Sequence, residues 1–246
     1  MNIADEGTTA HLKADIHCVK RMSQVSLRAA ILSVNKAFLK WNLPKCIKID
    51  NGYPFVNPNY RDIPTKAVLW WIGLGIEVIQ NTPGKPQENG AVECLQGVCY
   101  RWVNPSLFDT PQSLQTALDQ ISDFQRNYYK MPKRSYMTRI ECHPELIQNP
   151  RKYDPSKFDM DKIYQYLASR LWTRRIKANG STHFFGKAIY IGVKHAEQQV
   201  FITFDPIELK WAFHNKEGTF LKASSLAVPQ EKQIKDFAII SKNDLK

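Results

Sequence analysis

Two carboxylates, Asp50 and Glu93, have neighbours that could place them together at a metal site. Asp50 ends a short apolar strand at residues 46–49 and is followed at once by the turn formers Asn51-Gly52. Glu93 falls in the first turn of a helix that follows a loop rich in Pro, Gly and Asn. Mg²⁺ takes oxygen ligands and keeps several waters, so a few carboxylates and substrate phosphate oxygens can complete its shell. Two such ions could activate the attacking oxygen and stabilise the leaving oxygen of a phosphoryl transfer. The spacing alone does not distinguish these two acids from any other pair.

The residues around these acids are more specific than their spacing. Residues 48–55 read Lys-Ile-Asp-Asn-Gly-Tyr-Pro-Phe, and residues 83–93 read Pro-Gly-Lys-Pro-Gln-Glu-Asn-Gly-Ala-Val-Glu. The two segments resemble the second and third catalytic motifs of the DDE transposase and retroviral-integrase superfamily, and most closely those of bacterial insertion-sequence transposases. In that family the Asp of DNG and the Glu of NGxxE are catalytic metal ligands, which correspond to Asp50 and Glu93. The spacing exceeds that of retroviral members, and the excess fits into residues 53–64.

The resemblance implies a fold, a reaction and partners. The fold would be an RNase H-like core, a mixed sheet flanked by helices, followed by a small SH3-like all-β barrel. The reaction would be DNA cleavage and strand transfer in transposition or integration, with Mg²⁺ or Mn²⁺ as cofactor. The partners would be double-stranded DNA and further copies of the chain on that DNA, in a cytoplasmic, nucleoid-associated protein. Asn89-Gly90 would let the loop turn close to the DNA and start the helix.

The family's first catalytic aspartate is expected to be missing from this sequence. In the family that residue lies on the first of three strands before a helix, whereas only two strands are predicted before the helix at residues 23–41. The segment Asp5-Glu6-Gly7 resembles the hairpin turn between the second and third strands, so Asp5 is interpreted as a turn residue. We therefore expect a core without its first strand, with an unpaired strand edge. Truncation, a split reading frame and a wrong start all remain open as causes.

Three functions follow from these observations. The first is a transposase or integrase core with Mg²⁺-dependent strand-transfer activity. The second is a catalytically inactive, DNA-binding remnant of a transposase, since a chain with two of three carboxylates could be inactive alone. The third is a metal-dependent nuclease of the RNase H type, which shares the core fold.

The predicted elements divide the chain into four parts. Residues 1–145 form the core, 146–170 a basic connector, 171–228 the small barrel and 229–246 a weakly ordered tail. Hydrophobic periodicity predicts core helices after an N-terminal hairpin, and alternating residues with Asn-Gly and Glu-Gly turns predict short strands from residue 172 onward. The helices are predicted at residues 23–41, 65–74, 91–102 and 111–129. The strands are predicted at residues 46–49, 76–79, 172–177, 182–185, 188–193, 199–204, 210–214 and 219–221.

The charge of the chain favours a polyanionic partner. The formal net charge is +11, and residues 130–187 hold 13 Lys or Arg against 5 acids. Cations set against phosphates release condensed counterions, so this composition favours nucleic acid, with a solvated surface as the alternative. The candidate DNA contacts are Lys85, Gln87, Asn89, Arg134, Arg139, Arg174, Arg175 and Lys177.

The remaining chemically active residues are interpreted as structural. His11, His17 and Cys18 lack the partners of a four-ligand zinc site, and the five cysteines contain no CxxC pair, which favours reduced thiols in a cytoplasm. Glu88 is expected to point away from the metal site, and Asp62 to join a surface ion pair. Trp70-Trp71 is expected in a core, and the apolar stretch at residues 67–79 is too short to span a bilayer.

Overall fold

The computed structural model describes residues 1–17, 25–57, 59–225 and 228–239. Over these ranges the chain is a mixed α/β protein, as predicted. The helices are α1 (Leu27–Trp41), α2 (Lys66–Gly73), α3 (Gly90–Trp102), α4 (Pro111–Asn127), α5 (Arg139–Cys142), α6 (Met160–Ala168) and α7 (Glu231–Ala238). The strands are β1 (Asn2–Ala4), β2 (His11–Ala14), β3 (Cys46–Ile49), β4 (Glu77–Gln80), β5 (Trp172–Arg175), β6 (Ser181–Phe184), β7 (Lys187–Tyr190), β8 (Gln199–Asp205), β9 (Lys210–His214) and β10 (Phe220–Ser224).

The helix starts follow local signals in the sequence. The side-chain oxygen of Ser26 accepts the Ala29 N–H at 3.1 Å at the start of α1, and Thr110 accepts the Ser113 N–H at 3.1 Å at the start of α4. Such caps satisfy backbone donors that have no partner within the helix. These boundaries therefore depend on residues close in sequence, which is why they lie within a few residues of the prediction.

The chain divides into two compact units whose boundaries differ from the predicted ones. Unit 1 comprises Met1–Pro58, Ile76–Pro155 and Ala238–Lys246, and unit 2 comprises Asn59–Gly75 and Ser156–Phe237. The sequence analysis placed residues 59–75, which include α2, within the core at residues 1–145. The structure groups them with C-terminal residues, because α2 packs on α6. In addition, the Trp70 ring of α2 is stacked on Phe158, which precedes α6, with 5.1 Å between the ring centroids.

Unit 1 contains two short two-stranded sheets. β1 and β2 form the predicted antiparallel hairpin, with Asn2 opposite Ala14. β3 and β4 pair in parallel, with Ile49 opposite Gln80. In the described ranges these two sheets are separate, because no strand is hydrogen-bonded to strands of both. The RNase H-like arrangement therefore stays a prediction, and the parallel pair is the part of unit 1 that positions Asp50.

Unit 2 contains an open sheet of four strands and a separate hairpin. The sheet has the order β10-β9-β8-β5 with antiparallel pairing throughout, and β6 pairs with β7. A buried aromatic cluster fills this unit, with Trp172 and Phe184 each within 5.1 Å of Trp211 between ring centroids. The pairings between the described strands do not close into a barrel, so the SH3-like barrel stays a prediction.

Two further segments differ from the predicted organisation. The predicted connector at residues 146–170 contains α6, which buries Ile163 and Leu167. The predicted weakly ordered tail at residues 229–246 contains α7, which buries Ile234. In α7, four of the eight residues are charged, so its buried side is hard to recognise from the sequence. α6 is only nine residues long and follows a Pro-punctuated basic stretch, which the sequence analysis read as a connector. Residues 240–246 of the tail lie outside the described ranges. None of the helices described is long and apolar enough to cross a bilayer.

Candidate functional site

The parallel pairing of β3 and β4 brings the residues that follow each strand to one edge. Asp50 follows β3 and is exposed, whereas Asn81 follows β4 and is buried. The Asn81 N–H donates to the Ile49 carbonyl at 3.0 Å, which continues the ladder one step beyond β4. Asp50 thus lies at the carboxyl end of a strand, as expected from the sequence.

A chain of amide hydrogen bonds joins the two sequence motifs. Asn51 Nδ2 donates to the Asn81 carbonyl at 2.9 Å and Asn51 Oδ1 accepts from Gln80 Nε2 at 2.7 Å. Asn81 Nδ2 then donates to Asn89 Oδ1 at 2.5 Å. Asn89 directly precedes α3, whose first turn carries Glu93. The residue after Asp50 is therefore connected, through Asn81, to the residue before the helix of Glu93.

Both acidic residues present oxygen atoms to solvent. Asp50 Oδ1 accepts the Gly52 N–H at 3.2 Å, and a Cβ at Gly52 would lie 3.2 Å from Asp50 Oδ2. Glycine at this position therefore leaves room for the Asp50 carboxylate. Glu93 is exposed in the first turn of α3, where the helix dipole favours a negative charge.

The donor set fits a hard cation in type, because carboxylate oxygens are the ligands that Mg²⁺ and Mn²⁺ prefer. Asn81 Oδ1, a further oxygen in the hydrogen-bond chain, is buried with no hydrogen-bond partner. Within the described parts of the chain, no group of three or more His, Cys, Asp or Glu side chains is arranged to hold a metal ion. Asp50 and Glu93 are thus two candidate ligands without a third acidic side chain beside them in these ranges.

The loop before α3 has a carboxylate that is used locally. Glu88 Oε2 accepts the Thr82 N–H at 2.8 Å, and this backbone hydrogen bond lowers the pKa of Glu88. Glu88 thus has a local role, because it holds the two ends of the loop at residues 82–88 together. Lys85 and Gln87, the candidate phosphate contacts of this loop, are exposed.

Asp5 is engaged in the N-terminal turn. Its Oδ2 accepts the Thr8 N–H at 2.7 Å, and its own N–H donates to the Ala10 carbonyl at 2.9 Å. These bonds give Asp5 a local structural role between β1 and β2, which matches its interpretation as a turn residue.

Two arginines predicted to contact DNA are anchored within their units. Arg139 Nε donates to the Thr9 carbonyl at 3.0 Å and Nη1 to the Gln125 carbonyl at 3.2 Å, and burial lowers its pKa. Arg174 makes a two-pronged ion pair with Asp62, at 2.7 and 3.0 Å. Asp62 is therefore an ion-pair residue, as expected, and the charge of Arg174 is offset by it.

The other predicted DNA contacts are more accessible. Arg134 and Lys177 are exposed, as is Arg175, which pairs with the exposed Glu197 at 2.5 Å. An exposed pair of this kind contributes little to stability, so Arg175 can exchange Glu197 for a phosphate at small cost. Asn89, also a predicted DNA contact, has its side-chain oxygen engaged by Asn81, since Asn89 Oδ1 accepts from Asn81 Nδ2.

A buried polar cluster in unit 1 was not predicted from the sequence. Arg126 is buried, donates to the His11 carbonyl and lies over the Trp41 ring at 4.8 Å. His11 Nδ1 lies 3.1 Å from Ser122 Oγ and 3.5 Å from Cys99 Sγ. Burial lowers the pKa of His11 to about 4.

The cluster holds the β1–β2 hairpin against α4 and gives His11 the structural role expected from the sequence. No sequence signal marks Arg126, which stands among polar residues of α4. Cys18, the third residue of the rejected zinc interpretation, lies outside the described ranges.

Comparison with known proteins adds no family assignment. No protein-family model matches the chain, and no curated protein matches it either. The functional argument therefore rests on the two motifs and on the contacts between them.

Proposed function

We propose that this chain is the core of a transposase- or integrase-type DNA strand-transfer enzyme, with an RNase H-like core and an SH3-like barrel. The observation that carries the proposal is the hydrogen-bond chain from Asn51 through Asn81 to Asn89. It connects the segment of Asp50 with the helix of Glu93, the two segments that resemble catalytic motifs.

In this proposal Asp50 and Glu93 are the catalytic residues and hold Mg²⁺ or Mn²⁺ between them. The bound cation would supply charge stabilisation for an in-line phosphoryl transfer. Asn51, Asn81 and Asn89 are positioning residues, because they fix the end of β3 relative to the start of α3. In the family a first aspartate supplies a third ligand, whereas no third acidic side chain is grouped with Asp50 and Glu93 in the described ranges. Two carboxylates hold paired metals poorly, so residues 1–246 are expected to bind DNA without metal-dependent joining.

Double-stranded DNA is the proposed substrate, and a homo-oligomer on DNA the proposed assembly. The net charge of +11 supports a polyanionic partner. The exposed cations Lys85, Arg134, Arg175 and Lys177 are the proposed phosphate contacts. Arg139 and Arg174 are not proposed phosphate contacts. Each instead stabilises its own unit, Arg139 by a bond to the Thr9 carbonyl and Arg174 by its ion pair with Asp62.

The decisive experiment measures Mn²⁺ binding and DNA binding on the same variants. Titration of the full chain with Mn²⁺, followed by electron paramagnetic resonance, should detect a site that is lost in Asp50→Asn and in Glu93→Gln. Each change removes one anionic oxygen and preserves shape. Glu217→Gln is the matched control, because Glu217 is an exposed acid of unit 2. Duplex DNA binding should be unchanged in all three variants.

The outcomes separate the candidate functions. Equal Mn²⁺ binding in the wild type and in Asp50→Asn would refute the metal site. DNA binding without any Mn²⁺ site would favour the DNA-binding remnant. Metal-dependent DNA cleavage without joining, on DNA that carries the element's own ends, would favour the nuclease.

A further inference from the structure

Unit 1 carries four aromatic rings that contact each other on its surface. Trp102 ends α3, Phe124 lies on α4, and Tyr128 and Tyr129 follow α4. The Trp102 ring lies 5.7 Å from Phe124 and 5.4 Å from Tyr129, and Phe124 is stacked on Tyr128 at 6.4 Å between centroids. We call these four residues the aromatic cluster.

The aromatic cluster is not part of a hydrophobic core. Its members are between 37% and 65% exposed, with Tyr128 the most exposed. By contrast, Trp70, Trp71, Trp172 and Trp211 are buried. Apolar rings that contact each other and still face solvent mark binding surfaces more often than isolated exposed rings do. The rings hold one another in place, so little conformational entropy would be lost when a flat ligand stacks on them.

A basic loop continues directly from the aromatic cluster. Residues 130–137, the basic loop, contain the exposed cations Lys130, Lys133 and Arg134. Among the described residues, none of these three cations lies within 4.0 Å of a carboxylate in an ion pair. They are therefore available to an anionic partner.

The backbone of the basic loop is fixed in a tight and costly conformation. The Met131 N–H donates to the Met137 carbonyl at 2.9 Å, and the Tyr136 N–H donates to the Met131 carbonyl at 3.1 Å. Ser135 and Tyr136 have φ angles of 52° and 57°. Successive left-handed residues other than glycine cost free energy and are retained where the surrounding structure or a function requires them. The loop thus presents its cations from a defined position beside the aromatic cluster.

Acidic side chains also lie beside the aromatic cluster. A groove beside Phe124 and Tyr128 is also lined by Thr116, Asp119, Gln120 and Asp123. These carboxylates repel phosphates but can accept hydrogen bonds from the amino groups of nucleobases. Phosphates are therefore favoured on the basic-loop side of the rings, and bases over the rings and the groove.

We propose that the aromatic cluster and the basic loop bind unpaired bases of single-stranded DNA. The rings stack on the bases, and Lys130, Lys133 and Arg134 contact the phosphates. Stacking platforms beside cationic side chains bind single strands with little sequence preference, because every base has a π-face. The inference rests on the proposed DNA function and extends it, because paired bases in a duplex cannot stack on these rings.

The experiment compares single-stranded and duplex DNA on the full chain. Binding of a fluorescein-labelled oligo(dT) and of a labelled duplex is measured by fluorescence anisotropy over a range of salt concentrations. Tyr128→Ala should weaken oligo(dT) binding about tenfold, which corresponds to about 1.4 kcal/mol, and should change duplex binding less than twofold. Tyr128→Phe should restore oligo(dT) binding because it keeps the ring.

Two controls separate stacking from charge and from unfolding. Tyr190→Ala removes a ring of unit 2 that is 57% exposed, and it should leave oligo(dT) binding unchanged. Lys133→Ala should reduce the slope of log K against log salt by about 0.7 for the single strand, whereas Tyr128→Ala should keep the wild-type slope.

Several results would overturn the inference. Unchanged oligo(dT) binding by Tyr128→Ala would do so, as would an equal loss of duplex and single-strand binding. Self-association that Tyr128→Ala abolishes, with oligo(dT) binding intact, would assign the cluster to a contact between copies of the chain. Failure of the wild type to bind any DNA would contradict the proposed function itself, and is thereby distinguishable from failure of the stacking site.

Discussion

Replacing Asn89 by alanine tests whether the amide chain holds the two motifs together. Asn89 Oδ1 is the acceptor for Asn81 Nδ2, and Asn81 is buried with its Oδ1 already unpartnered. Asn89→Ala therefore leaves a buried donor unsatisfied, which costs about 1–3 kcal/mol of unfolding free energy. Gln80→Ala is the matched control, because it removes a bond of the same chain at an exposed position and should cost about 0.5 kcal/mol or less.

The assay combines global and local stability. Urea denaturation followed by circular dichroism gives the difference in unfolding free energy between each variant and the wild type. Hydrogen exchange followed by mass spectrometry should show faster exchange over residues 46–52 and 77–89 in Asn89→Ala alone. Asn89→Asp should restore most of the protection, because its carboxylate can still accept from Asn81.

The functional consequence can be measured on the same proteins. In Asn89→Ala the Mn²⁺ affinity of the Asp50 and Glu93 site should fall, while both ligands remain present. Equal stability losses in Asn89→Ala and Gln80→Ala, or unchanged hydrogen exchange over both strands, would show that the Asn81–Asn89 bond does not hold the segments together.

Three other predictions follow from single contacts. The pKa of His11 is lowered from 6.5 to about 4 by burial, so its contribution to stability is full above pH 6.5 and is lost as the pH falls towards 4. In urea titrations the wild type should therefore lose about 3 kcal/mol of unfolding free energy between pH 6.5 and pH 4, and His11→Gln should not show this loss. An equal loss in His11→Gln would contradict the lowered pKa of His11. Gly73→Ala should destabilise the protein by about 1–3 kcal/mol in the same denaturation assay, because its Cβ would lie 2.3 Å from the Phe158 ring. Gly97→Ala is the control: its Cβ meets nothing within 4 Å, so it should stabilise α3 by up to about 1 kcal/mol. Arg175→Ala should lower the salt slope of duplex binding by about one unit without a change in melting temperature, and an unaltered slope would place Arg175 outside the DNA contact.

The sequence by itself determined the elements that depend on nearby residues. The sequence predicted a helix ending at Trp41, the strand β3 before Asn51-Gly52 and the antiparallel hairpin at the N-terminus in this way. The predicted helix began at residue 23, whereas α1 begins at Leu27 after the Ser26 cap. Apolar periodicity and turn chemistry act over a few residues, so they can be read without knowledge of the fold. The positions of Asp50 at a strand end and of Glu93 in the first turn of α3 followed from the same local signals.

Only the tertiary structure decided which polar residues have partners. Arg174 and Asp62 are 112 positions apart, and Arg126 meets the His11 carbonyl across 115 positions. An arginine has the same formal charge in the sequence whether it is exposed to a phosphate or buried against a carbonyl. Its partner depends on contacts across long sequence separations, which local periodicity does not encode. For the same reason the assignment of residues 59–75 to unit 2 required the packing of Trp70 on Phe158.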